Sequence, residues 1–191
     1  MLGAMNIYEF FATFTKLPIR IDTVVEQLRS MGVVVDIRYF EVDTDPSLVG
    51  GICRVYRSKP CYSVDEHARA EIIYSGRLPE DWRRVVVCKE LLHLIDGDEE
   101  MARTREQVDQ LIEEIVIPQS LAKSLPTRSD KSGLLNALKI LLPRDALVDL
   151  AKLHHEKRIS VHDVATLAKI PEPFAAFALT PLWRRIVDGI N

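Results

Sequence analysis

The stretch Trp82-Arg83-Arg84-Val85-Val86-Val87-Cys88-Lys89-Glu90-Leu91-Leu92-His93-Leu94-Ile95-Asp96 governs the reading of the chain. From Val85 to Ile95 every residue is apolar except Lys89, Glu90 and His93. With successive residues about 100° apart on a helix, those three project into one narrow sector, which Trp82 and Val86 share. A helix that is apolar nearly all round is normally buried. Burying a lysine, a glutamate and a histidine together is costly unless they pair or serve a site. Pro79 suits the first turn of this helix and Gly97 its stop, so the spacing predicts a helix from Pro79 to about Asp96. The bland alternative is an amphipathic helix with its polar strip in water, but the strip is narrow and its neighbours are large and apolar.

Around this segment the composition is that of an ordinary globular chain. Of 191 residues, 47% are hydrophobic and 28% charged, which excludes a disordered or collagen-like polymer. The net charge of −3 offers no global basic field for nucleic acid. Residues 1–119 are net acidic and residues 120–191 net basic, with the change near Pro118. The Ser/Lys/Pro-rich stretch 120–132 reads as a connection from a main domain, 6–125, to a helical C-terminal region, 133–191. Cys53, Cys61 and Cys88 form no CxxC pair and no disulfide framework, which fits a reducing compartment. Met1–Thr15 lacks a basic region followed by a long apolar core, and no apolar run approaches the ~20 residues of a membrane span. A cytoplasmic chain without membrane contact is expected.

The pattern predicts an α+β fold. A short helix spans Asn6–Thr15, and Asp22 or Thr23 caps a second from Val24 to Met31 with Gly32 at its end. Strands are expected at Val33–Phe40, Gly51–Tyr56 and Ala70–Ser75, forming a small antiparallel sheet. Thr104 and Gln107 look like a capping box, and Val108, Leu111, Ile112, Ile115 and Val116 follow at helical spacing until Pro118. Beyond the connection, helices are expected at about 133–142, 144–156, 160–169 and 172–187.

The string Lys89-Glu90-Leu91-Leu92-His93 is one residue away from H-E-x-x-H. That motif sets two imidazoles on one helix face to hold zinc, with the glutamate as general base. In its surroundings the chain resembles the ImmA/IrrE family of metallopeptidase-like proteins. There a strand leads into an A-H-E-L-G-H helix, and a later helix ends in an apolar run and Met-Pro. Ala70-Glu71-Ile72-Ile73-Tyr74, Cys88 to His93, and Glu106 to Pro118 are the similar segments here. The resemblance covers residues 6–125. It implies a zincin-like arrangement of helices on a small sheet, and a regulator acting on repressor-type proteins.

The departures fall on the chemistry. Lys89 replaces the first zinc histidine, Leu92 replaces the glycine beside the metal, and Glu106 is the nearest acid to the downstream ligand position. Two protein ligands, His93 and Glu106, then remain if zinc is retained, where a catalytic zinc takes three plus water. A charged ammonium has no lone pair and cannot stand in for an imidazole. The expectation is a site with no cofactor, in which the Lys89 ammonium sits where zinc would, paired with Glu90 or Glu106 and leaving His93 as a neutral hydrogen-bond partner, and Glu90 is a vestigial general base. The implied partner is a protein, such as a repressor-type regulator. Two other readings stay open: an active zinc endopeptidase using Glu90, His93, Glu106 and a further ligand, and a DNA-binding regulator.

The DNA reading rests on the rhythm of Val164–Ala168, Pro171–Pro173 and Phe174–Leu179, which is that of a helix-turn-helix. Its second helix offers no Arg, Lys, Asn or Gln to base edges, so a packing module or a self-association face is favoured over nucleic acid. His67 is expected in an exposed loop before the third strand. His154 and His155 are expected at a solvated helix end, and His162 in a helix capped by Ser160. Cys88 stands beside Lys89, a cation able to lower a thiol pKa, though buried structural cysteine is the default.

Overall fold

A computed structural model describes residues 6–34, 36–46, 50–58, 67–95 and 128–187. The order is α1 (Ile7–Ala12), α2 (Ile21–Ser30), β1 (Asp36–Val42), β2 (Gly51–Ser58), β3 (His67–Ser75) and α3 (Glu80–Leu92), then α4 (Arg128–Leu141), α5 (Arg144–His155), α6 (Val161–Ala168), α7 (Glu172–Ala178) and α8 (Pro181–Val187). The fold is α+β. Among the described residues no helix is long and apolar enough to cross a membrane. The expected helix over 106–118, with Glu106, lies outside the described residues.

The sheet is mixed, not antiparallel. Its order is β1-β3-β2, with β1 parallel to β3 and β2 antiparallel to it. Alternating residues build either kind of ladder, so strand direction is invisible in the pattern and is set by the connections. One face turns inward. Ile37, Ala70 and Ile72 are buried there, and α3 packs against it.

Several boundaries shift for local reasons. The second helix starts a turn early, at Ile21, with Arg20 as N-cap. The expected cap Asp22 instead stands in the first turn, where its carboxylate favours the helix N-terminus and pairs with Arg20 at 2.9 Å. Gly32 sits just past this helix at φ +72°, a conformation glycine adopts without cost. The first strand begins at Asp36, and β3 begins at His67, which places that residue in the strand and not in a loop before it. The key helix ends at Leu92, short of Asp96, with His93 as its cap. The helix expected from 133 begins at Arg128. The expected helix 172–187 is two, because Pro181 has no N–H and disfavours helix at Thr180. The Thr180 hydroxyl then accepts from the Trp183 N–H at 3.3 Å and starts the next helix. Ser160 and Asp163 form a reciprocal capping box on α6, the cap read from the sequence.

One hydrophobic core joins the sheet side to the C-terminal helices. Val85, Leu91 and Leu92 of α3 share it with Leu134 and Leu138 of α4 and with Phe174 of α7. Phe174 meets Trp82 edge to face at 5.3 Å, and Phe177 meets Trp183 at 5.4 Å. The aromatics of the helix-turn-helix-like segment therefore face inward, and neither lies on an outer self-association surface.

Candidate functional site

The site is built on the last two turns of α3. Glu80 and Asp81 occupy its first turn and Lys89 its last, the charge order that the helix dipole favours. From Val85 to Leu92 every residue is buried, including Lys89 and Glu90, each 2% exposed. Their partner groups meet: Lys89 Nζ lies 2.7 Å from Glu90 Oε1. Among the described residues Oε1 receives no hydrogen bond of standard angle, so the approach is an ionic contact off the donor line. His93 is half-buried at the helix end, where its backbone N–H donates to the Lys89 and Leu91 carbonyls.

Two glycines make room for the pair. Gly51, at the start of β2, is so close that a Cβ there would stand 2.6 Å from Glu90 Oε1 and 2.4 Å from Val86 Cγ1. Gly133, on α4, is equally close to the other partner: a Cβ there would stand 2.7 Å from Lys89 Cγ and 3.5 Å from His93 Cε1. The carboxylate is thus seated against the sheet and the ammonium stem against α4. Neither glycine was singled out by sequence reasoning, although a glycine inside a helical pattern is a known sign of close approach.

Cys53 is the other residue the sequence reading passed over. It lies two positions after Gly51 on the same face of β2 and feels both charges. Its thiol is pushed up to about 12 by burial and by the Glu90 carboxylate, against which Lys89 pulls down. Cys88 is also held up to about 12 by burial. The cation that acts on Cys88 is Arg84, one turn earlier, and not its neighbour Lys89, so no activation of the thiol results. Two other histidines have partners elsewhere. His154 Nδ1 contacts the Ile159 carbonyl at 3.2 Å, and His162 faces Glu172 at 3.5 Å.

Zinc, which the family resemblance implies, does not fit the described donor set. The position of the first imidazole carries an ammonium without a lone pair, already in contact with the glutamate. Among the described residues no group of three or more His, Cys, Asp or Glu is placed to hold a metal ion. Glu106 lies outside the described residues. No family model matches the chain, and no curated protein or solved structure is similar enough to count as a match.

The niche makes a signed prediction. In an exposed helix interior Gly→Ala stabilises by about 1 kcal/mol. For Gly133→Ala the new methyl meets the middle of a buried lysine chain, so the sign reverses. Overpacking of this kind costs roughly 1–3 kcal/mol. Urea unfolding of Gly133→Ala beside wild type measures it, and a gain in midpoint would show that the Lys89 stem is free to move aside.

Proposed function

We propose that this chain is a regulatory protein of the ImmA/IrrE type, with a zincin-like arrangement, whose peptidase site has been replaced by a salt bridge. It acts by binding a protein partner, of the repressor type, and not by cleaving it. The observation that carries this reading is the buried contact between Lys89 and Glu90. In H-E-x-x-H those two positions hold the first metal ligand and the general base. Here the base is neutralised by a tethered cation from the adjacent residue. A carboxylate engaged by an ammonium, shut from solvent at 2% exposure, has no route to activate a water on a substrate. The ammonium also answers the electrostatic problem that loss of a metal leaves behind, an uncompensated buried carboxylate.

Zinc content tests the reading. The full chain is purified after growth and dialysis with zinc, as wild type and as Lys89→His, and metal per chain is measured by elemental analysis. Wild type carries substoichiometric zinc, and the histidine variant gains it. Stoichiometric zinc in the wild type overturns the proposal, because the ammonium would then have left the metal position.

A further inference from the structure

The face of the sheet turned away from α3 is built from a different vocabulary. The register aligns Phe40, Ile73 and Ile52 in one row across the three strands. The adjacent row is Arg38, Glu71 and Arg54. The apolar row ends on an exposed ring, Phe40 at 43% exposure, and beyond the charged row Tyr56 is 48% exposed. Among the described residues the helix that packs extensively on the sheet is α3, on the opposite face.

We propose that this outer face is the contact between two copies of the chain. The charge pattern selects that occupant. The row Arg38–Glu71–Arg54 alternates in sign across the sheet, so it complements itself; within the chain Arg38 also lies 3.4 Å from Asp36, and Glu71 accepts from the Tyr56 hydroxyl at 3.1 Å. Two copies related by a two-fold axis and displaced by one strand, about 4.8 Å, set each glutamate against an arginine of the other. The neighbouring apolar rows meet in the same arrangement. A uniformly acidic partner would set like charge against Glu71, and a uniformly basic one against both arginines. The chain's net charge of −3 adds little general repulsion between copies. A face three strands wide is smaller than the ~800 Å² per partner of a standard interface, so the dimer belongs with the small, transient contacts. This inference is independent of the proposed function.

Sedimentation equilibrium on the full chain, over about three decades of concentration centred on the micromolar range, tests it. The expected result is a monomer–dimer equilibrium that Phe40→Glu weakens by about tenfold or more. Val148→Glu is the control, an equally drastic change at a 63% exposed position on α5, and leaves the equilibrium unchanged. Arg54→Glu supplies a second variant at an exposed side chain and weakens the dimer in the same direction; circular dichroism confirms that each variant is folded. A chain that stays monomeric throughout overturns the proposal, as does a dimer that both Phe40→Glu and Arg54→Glu leave intact.

Discussion

Lys89→Met is expected to lower the unfolding free energy by about 3–5 kcal/mol, the cost of stripping one partner from a buried ion pair. Methionine keeps the length and flexibility of the lysine stem, so packing against Gly133 is retained and the loss isolates the charge. What remains is a carboxylate 2% exposed, with Oε1 lacking any directed hydrogen bond among the described residues. Glu90→Gln removes the other charge of the pair and is expected to lower stability in the same direction. The double variant Lys89→Met/Glu90→Met removes both charges and recovers most of the loss, since an apolar pair of similar volume is no worse than a buried salt bridge. Urea titrations with unchanged slopes read all three as stability differences. A single-variant loss below about 1 kcal/mol would place the pair among ordinary surface contacts, and the site would lose its special character.

Phe174→Ala is expected to cost about 3–5 kcal/mol, the range for deleting a fully buried aromatic. Its ring is 0% exposed and stands edge to face with Trp82, at the start of the helix that carries Lys89 and Glu90. The edge-to-face geometry contributes roughly 0.5–1.5 kcal/mol of that. The loss appears in one transition, coincident by circular dichroism and tryptophan fluorescence, because α3, α4 and α7 share a core. Two separated transitions, with the fluorescence change preceding loss of helix signal on the sheet side, would mean that the C-terminal helices form a detachable unit.

The two predictions bear on how much was legible. That α3 is buried from Val85 onward followed from its composition alone, because a helical segment with charges confined to one narrow sector has no solvent face to offer. Gly32, Ser160 and the start of β2 were also local signals, each a backbone or capping preference carried by one or two residues. The break at Thr180-Pro181 was present in the chain as well, and was overridden by the apolar rhythm on either side. Strand direction was not legible, since the same alternation serves a parallel and an antiparallel neighbour. Cys53 was not legible as a member of the site, because nothing between positions 53 and 90 announces that β2 passes beside α3.

By itself the amino-acid order determined that Lys89 and Glu90 would be carried on a buried helix, since successive positions on a 3.6-residue turn cannot escape an apolar surround. Tertiary structure alone decided that the two charges meet at 2.7 Å and that glycines from β2 and α4 leave them room. Adjacent residues on a helix diverge by about 100°, so their long side chains converge only when the walls on either side direct them together.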